Sequence, residues 1–218
     1  MTFGPHINLV NRIVQYISEK IITAELKPGE RIVEGRMARE LNVSTIPLRE
    51  AFRLLEKDGL IERMPRRGVR VTFLSPIDIE YTYDILAQLY ALLLRKFVAV
   101  ADERSFIQIN AVIDKLDKCA ASRDIEGFNE ALFSIGVVAL QLIKAPMMER
   151  MILELWPTKR RVEYYISSHK QEYLKEIVRF FRKTFLHARA GNTDQALVYL
   201  MTYVQSQKDY ALEHFPLD

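Results

Sequence analysis

Arginines dominate the residues with binding chemistry in the first third of the chain. Residues 1–75 hold 13 Lys and Arg against 9 Asp and Glu, a net charge of +4, while the remaining residues hold 18 against 19 and carry −1. Arg49 and Arg53 share one stretch, and Arg66 and Arg67 share another. Guanidinium groups clustered in this way bind phosphates and guanine edges. The basic first third therefore predicts a module that faces a polyanion.

The elements that must position these arginines follow from apolar spacing and turn residues. Three helices are expected at 7–24, at 33–41, and from an N-cap at Ser44 to about Lys57, and two strands at 60–64 and 69–73. Pro47 suits the first turn of the third helix, where a missing N–H costs little. This order predicts a winged helix-turn-helix, with the third helix in the major groove and a basic wing on phosphates.

The predicted DNA contacts lie on the second and third helices and on the wing. They are Arg36, Ser44, Thr45, Ile46, Arg49 and Arg53 on the helices, and Arg66, Arg67 and Gly68 on the wing. The alternative is a small helical domain whose exposed arginines only keep it in solution. Arg63, Arg66, Arg67 and Arg70 crowd one hairpin with no acidic residue after Glu62, which favours DNA binding.

Four segments resemble the GntR family of bacterial transcription regulators, in order and with the expected spacing over most of residues 9–73. They are 26–32 (LKPGERI), 37–44 (MARELNVS), 47–55 (PLREAFRLL) and 58–61 (DGLI). The resemblance implies that Arg49 occupies a DNA-contact position. Thr45 stands where family members carry an arginine that reaches guanine, and Ile46 replaces a hydroxyl with a group suited to a thymine methyl. The operator is therefore expected to differ at that base.

Residues 76–218 are expected to form a second, all-helical domain, so that the chain is mainly α overall. Its helices are predicted at 76–101, 104–121, 124–142, 147–167, 171–190 and 193–212. No Gly-rich phosphate loop or alternation of strands and helices is present, which argues against a nucleotide-binding enzyme. Behind a GntR-type head, this domain resembles the effector-binding and dimerisation domain of the FadR subfamily, called FCD.

The FCD resemblance implies a pocket that has lost its metal ligands. Where the subfamily carries an Asp and three His, this chain carries Leu132, Gly136, Arg182 and Tyr203, and no metal or other cofactor is expected. A mainly apolar pocket is predicted, with its candidate ligand-binding residues at Gln88, Leu132, Gly136, Arg161, Arg182 and Tyr203. Arg182 is a candidate partner for a ligand carboxylate, or else an exposed member of a basic run with Arg179 and Lys183.

Three functions remain in competition at this point. The first is a DNA-binding regulator, expected to be a repressor, whose helical domain binds a small-molecule effector. The second is a regulator whose helical domain is only a dimerisation scaffold. The third is an enzyme with a winged-helix head. Cys119 is a poor candidate for its nucleophile, because no histidine signature lies nearby.

The sequence also predicts the oligomeric state of the protein and its location in the cell. A palindromic operator requires two heads, so a homodimer is expected, held through the apolar first helix of the second domain around residues 86–97. A single cysteine, Cys119, cannot form an internal disulfide, which suits a reducing compartment. No basic leader is seen, and no apolar stretch is expected to reach the ~18 residues of a membrane span. The expected location is the cytoplasm.

Overall fold

The computed structural model describes residues 5–64 and 68–216, which form two units: one ends at Ser75 and the other spans Pro76–Pro216. The first unit has the order of a winged helix. Its elements are α1 (Pro5–Ile22), β1 (Arg31–Ile32), α2 (Glu34–Glu40), α3 (Thr45–Lys57), β2 (Ile61–Met64) and β3 (Gly68–Val71). The predicted fold of this unit is confirmed.

The apolar face of α3 forms the centre of the first unit's core. Leu48, Ala51, Phe52 and Leu55 are all buried, as their helical spacing predicts. They belong to one cluster with the buried isoleucines of α1, including Ile17. Because this face is fixed inside, the opposite face of α3 must point outward.

The wing is part of a three-stranded antiparallel sheet of order β1-β3-β2. β2 pairs with β3 so that Glu62 lies opposite Arg70. β1 pairs with the other edge of β3 and was not predicted, because a strand of two residues leaves no detectable alternation. Val33, the first residue of the helix expected at 33–41, lies instead at the N-cap position of α2 and is 47% exposed.

The second unit consists of six helices, and every end lies within two residues of its predicted place. They are α4 (Pro76–Val100), α5 (Glu103–Ser122), α6 (Ile125–Ile143), α7 (Pro146–His169), α8 (Gln171–Arg189) and α9 (Thr193–His214). Asp102 caps α5 by accepting a hydrogen bond from the backbone N–H of Ser105 at 2.8 Å. Arg123 and Lys144 end α5 and α6 in the left-handed conformation.

The apolar stripe of α4 belongs to the core of this unit. Leu86, Leu89, Leu93 and Phe97 are all buried within the single chain. These side chains are used by the unit's own packing, so a dimer interface on α4 would have to use another face of the helix. The interface predicted through this helix stays a prediction. A different face of α4 presents exposed apolar side chains, among them Tyr81 and Leu92.

One helix among the described residues, α6, is long and apolar enough to cross a membrane by length and composition. The expectation that no segment reaches this threshold is thus wrong. Core helices pass the same test, and α6 has a buried face that includes Phe128, Leu132 and Ile135. That face is part of the unit's core, and 28% of the helix's most apolar window is buried.

Candidate functional site

The outward face of α3 carries the predicted DNA-contact residues. Thr45, Ile46, Arg49 and Arg53 are all exposed, and Ile46 exposes 64% of its surface. An apolar side chain this exposed on a short helix is suited to contact with a thymine methyl. Ser44 occupies the N-cap position, as predicted, but its side chain makes no capping bond to α3.

A carboxylate on α2 positions the central arginine of this face. Arg49 Nε donates to Glu34 Oε1 at 2.8 Å, and the Arg49 side chain is still 65% exposed. Exposed ion pairs of this kind are weak, so the guanidinium can exchange Glu34 for a base edge or phosphate. Arg36 on α2 and Arg53 on α3 are also exposed, and neither forms an ion pair with any residue that the structure describes.

The strands of the wing hold two arginines in ion pairs. Arg63 Nε donates to Glu56 Oε2 at 2.8 Å, and Arg70 Nε donates to Glu62 Oε1 at 2.7 Å. Two of the four arginines in the hairpin are therefore partly neutralised, one by Glu56 from α3 and one by Glu62 from the facing strand. The predicted wing-tip contacts Arg66 and Arg67 lie outside the described residues.

Gly68 has a structural reason to be glycine. Its φ is +87°, and a Cβ there would lie 3.2 Å from the carbonyl oxygen of Ile32 on the neighbouring strand. A side chain would strain both the backbone and the sheet. Any contact of Gly68 with DNA would therefore be made by the backbone.

A cavity of about 100 Å³ lies inside the helical unit and is lined by side chains from α4, α6, α7, α8 and α9. Most of its wall is apolar, including Leu132 and Ile135 from α6 and Phe181 and Phe185 from α8. At Gly136, a Cβ would meet no atom within 4 Å, apart from its own helix backbone. Glycine in mid-helix costs stability relative to alanine, and here it leaves open space beside the cavity.

The cavity has a buried ion pair in its wall. Lys159 Nζ donates to Glu163 Oε1 one turn along α7, and Tyr203 Oη donates to the same carboxylate oxygen at 3.1 Å. Lys159 and Glu163 are only 4% and 2% exposed. The Lys159 ammonium also lies 4.8 Å from the centroid of the Trp156 ring, a cation–π distance. Both charges are thus satisfied inside the protein.

Burial controls the ionisation of this group. Desolvation lowers the pKa of Lys159, while the Glu163 carboxylate opposes that change. Desolvation raises the pKa of Tyr203 well above its usual 10, and the negative charge of Glu163 raises it further. Tyr203 therefore stays a neutral hydrogen-bond donor at neutral pH.

Thr184 on α8 lines the same cavity, but within the described part of the chain its hydroxyl is not hydrogen-bonded as Lys159 and Tyr203 are. It is 1% exposed, and its Oγ has no hydrogen-bond partner among the residues that the structure describes. A buried hydroxyl without a partner costs about 1–3 kcal/mol. Such a group next to open space is a candidate contact for a bound molecule.

With this geometry in place, comparison with known proteins assigns the first unit. The family model described as "Bacterial regulatory proteins, gntR family" matches residues 9–71, which include α2, α3 and all three strands. The N-terminal unit is a GntR-family domain. The match ends at the last wing strand and does not extend into the helical unit.

Curated relatives of the chain bear the names of transcription regulators. It is similar to the uncharacterized HTH-type regulator YdhC of Bacillus subtilis, with 35% identity over 102 residues, or 47% of this chain and 46% of that protein. It is also 23% identical over 158 residues to the transcriptional repressor RspR of Escherichia coli, covering 72% and 69% of the two chains. The chain spans less than half the length of the first curated relatives it matches.

Solved structures share the fold along nearly the whole chain. A regulator from Rhodococcus sp. RHA1 matches with a TM-score of 0.79 and 22% identity, over 94% of this chain and 98% of its own. Escherichia coli McbR/YncC matches with the same TM-score and 17% identity, over 94% and 97%. The fold prediction, a winged helix followed by an all-helical domain, is therefore confirmed.

The structure brings together only some of the predicted pocket residues. Leu132, Gly136 and Tyr203 line the cavity. Gln88 is exposed, and Arg161 is buried but is not among the lining residues. For these two residues the predicted place in the pocket is wrong. Gln88 lies on an exposed face of α4, and Arg161 lies on a different face of α7 from Lys159.

Arg182 is also outside the cavity. Its guanidinium is exposed and donates to Asp114 Oδ1 at 3.0 Å and Asp117 Oδ2 at 2.9 Å on α5. These bonds raise the pKa of Arg182 further above its usual value. The predicted role as a carboxylate partner in the pocket is wrong because Phe181, Thr184 and Phe185 form the cavity face of α8.

Sequence reasoning missed the polar residues that the cavity does contain. Lys159 and Glu163 are spaced as an ordinary i, i+4 surface pair, and nothing local marks them as buried. Thr184 sits between aromatic residues on α8, which is a weak signal for a core position. Within residues 5–64 and 68–216, no three His, Cys, Asp or Glu side chains are grouped so that they can hold a metal ion.

Cys119 has the properties of a packed side chain. It is buried, and its Sγ lies 3.8 Å from Asp124 Oδ2. Burial raises the pKa of the thiol, as does the Asp124 charge, so the group stays protonated at neutral pH. This environment is the reverse of the one that activates a cysteine nucleophile.

Proposed function

We propose that the protein is a cytoplasmic DNA-binding transcription regulator of the FadR subfamily, with an FCD-type helical domain, that binds a palindromic operator and represses the adjacent gene. The observation that carries the proposal is the outward face of α3, where Arg49 is aimed by Glu34 within the segment matched to the GntR family. The names of the curated relatives support the same function.

The α3 face is suited to the major groove. Arg49 and Arg53 lie four residues apart on the exposed face, so both guanidiniums can reach bases or phosphates along one groove. Ile46 adds apolar contact, while Thr45 and Ser44 present hydroxyls near the helix N-terminus, where phosphates bind well. Arg36 on α2 supplies a further contact, and the wing contributes Arg66, Arg67 and the backbone of Gly68.

A homodimer would place two such heads on the two halves of the operator. The inner stripe of α4 packs in the core of the unit, so we propose that the dimer forms through the outer face of this helix. On that face Tyr81, Ile85 and Leu92 are 60%, 44% and 43% exposed. These residues are spaced four and seven apart and share one side of the helix. Leu92→Glu is expected to turn a dimer into a monomer in sedimentation equilibrium. Ile107→Glu, which puts the same charge on an exposed apolar position of α5, is the control. A wild-type protein that is monomeric at micromolar concentration contradicts the proposal.

The helical unit would also bind a small-molecule effector in its cavity, without a metal. Gly136 and Thr184 support this: one leaves space and the other leaves a hydroxyl without a partner, and neither feature stabilises a simple scaffold. An effector that prefers one arrangement of the helices would shift operator affinity by its difference in affinity for the two states. The alternative, a helical unit that only dimerises, predicts no change in operator affinity with any small molecule.

The test of DNA binding begins with selection of bound duplexes from a random library by the full-length protein. We expect enrichment of a palindromic sequence, with half-sites about one helical turn apart or a multiple of it. The enriched duplex then serves for fluorescence anisotropy with Arg49→Ala and, as an arginine control away from α3, Arg182→Ala. Absence of enrichment, or equal loss in both variants, would overturn the proposed function.

A further inference from the structure

The cavity's polar groups set the chemistry of the molecule it takes, and this step rests on the proposed effector function. Lys159 and Glu163 form a pair with no net charge, and the Lys159 ammonium faces the rings of Trp156 and Tyr90 as well. The Glu163 carboxylate receives a second hydrogen bond from Tyr203. Both charges therefore already have partners and do not require a charged ligand.

A charged ligand would disturb this balance. A cation would add a second positive charge beside Lys159, which lines the cavity, and an anion would have to compete with Glu163 for the Lys159 ammonium. The exposed carboxylate of Glu149, which also lines the cavity, adds repulsion for anions. Burying an unpaired charge costs several kcal/mol, so an uncharged molecule is favoured.

One hydrogen-bonding need remains. Among the described residues, two buried side-chain polar atoms have no partner, Asn129 Nδ2 and Thr184 Oγ, and of these residues Thr184 lines the cavity. A hydroxyl both donates and accepts, so it can bind an alcohol, a carbonyl or an amide. A single polar group on the ligand is enough to satisfy it.

Size gives the third limit. An apolar cavity of roughly 150 Å³ can hold benzene, and this cavity has about 100 Å³, so a single ring is the upper limit of what it can take. Its walls carry aromatic side chains from five helices, including Trp156, Phe181 and Phe185, which suit a flat apolar body. We infer that the cavity takes an uncharged, single-ring-sized apolar molecule whose one hydrogen-bonding group meets Thr184 Oγ.

Trp156 provides a direct readout, because it is the only tryptophan in the chain and lines the cavity. The probes are benzyl alcohol, toluene, benzoate and benzylammonium, which share a ring and differ in charge or hydrogen bonding. We expect benzyl alcohol to change Trp156 fluorescence with a Kd at least tenfold lower than those of benzoate and benzylammonium, and severalfold lower than that of toluene.

Two variants test the contact with Thr184. Thr184→Val keeps the shape and removes only the unpartnered hydroxyl, so the variant is expected to fold and to melt no lower than wild type. It should bind benzyl alcohol no better than toluene. Thr202→Val is the matched control, because that hydroxyl is exposed and donates to the carbonyl of Val198 in its own helix. It should leave all four affinities unchanged.

Three results would overturn the inference: a charged probe that binds as tightly as benzyl alcohol, unchanged benzyl alcohol binding in Thr184→Val, or no response to any probe at millimolar concentration. Operator binding of the same wild-type preparation is measured in parallel. If the probes fail while the operator is bound, only the ligand class is wrong. If the operator is not bound, the proposed function itself fails, whatever the probes do.

Discussion

The two units keep their charges in opposite environments. In the GntR domain, Arg49 is held by Glu34 at the surface, and the two paired wing arginines are likewise exposed. In the helical unit, Lys159 and Glu163 are sealed inside. Exposed pairs are worth about 0–1 kcal/mol and exchange partners readily, whereas a buried pair is strongly destabilised when one member is removed. Charge changes in the first unit should therefore alter binding, and those in the second should alter stability.

The largest expected effect is on the buried pair. Lys159→Met leaves the Glu163 carboxylate buried with only the Tyr203 hydroxyl, and it should lower the free energy of unfolding by about 3–5 kcal/mol. Denaturation followed by Trp156 fluorescence measures this within the helical unit. The double variant Lys159→Met with Glu163→Gln removes both charges of the pair and should recover most of the loss. A single variant as stable as wild type would show that the pair is not buried as described.

The next effect concerns recognition. Arg49→Ala should weaken operator binding by about 1–3 kcal/mol if Arg49 reads a base, with no change in melting temperature. Glu34→Gln removes the competing carboxylate and should leave operator affinity equal or higher. Fluorescence anisotropy on the selected duplex and on a scrambled duplex separates specific from general binding. Arg49→Ala binding the operator as well as wild type would rule out the contact.

The wing is expected to act on all DNA sequences alike. Arg66→Ala and Arg67→Ala should each weaken binding to operator and scrambled duplexes, and should reduce the slope of log K against log salt by about 0.9 per lost phosphate contact. Arg63→Ala is the control within the same hairpin, since Arg63 is already paired with Glu56 and should change the slope less. Equal slopes in Arg66→Ala, Arg67→Ala and wild type would remove the wing from the interface.

The smallest effect tests the space beside Gly136. Gly136→Ala adds a methyl group where, apart from its own helix backbone, no atom of the described residues lies within 4 Å of a Cβ. It also removes the helix penalty of glycine. The free energy of unfolding should rise by about 1 kcal/mol. Gly191→Ala serves as a contrast, because φ there is +78° and alanine would be strained. A destabilised Gly136→Ala would mean that the space is not open.

The contrast between the units also explains what the sequence could predict. Helix ends could be predicted because capping residues, turn residues and apolar periodicity are local sequence signals, as at Asp102 and Ser44. The DNA-contact face of α3 could be predicted because its arginines lie opposite an apolar stripe with clear helical spacing. The residues that line the cavity could not be predicted in the same way. Arg182 and Thr184 are two residues apart on one helix, and only packing against α4, α6 and α9 decides which of them faces inward.

Long-range pairing accounts for the remaining differences. Glu34 and Arg49 are fifteen residues apart in sequence and meet only when α2 packs beside α3. Glu56 on α3 pairs with Arg63 on β2, so the basic hairpin is partly neutralised by a residue that precedes it in the sequence. Charge counts along a sequence cannot register such partners, because they depend on the tertiary fold.

The most direct test of the central claim is the operator affinity of Arg49→Ala measured beside that of Lys159→Met, with the folded fraction of each sample determined by Trp156 fluorescence. We expect Arg49→Ala to lose operator affinity while keeping wild-type stability. We expect Lys159→Met to lose stability while its folded fraction still binds the selected duplex. If instead both variants lose affinity per folded molecule by the same factor, or Arg49→Ala loses none, DNA recognition does not reside on the α3 face.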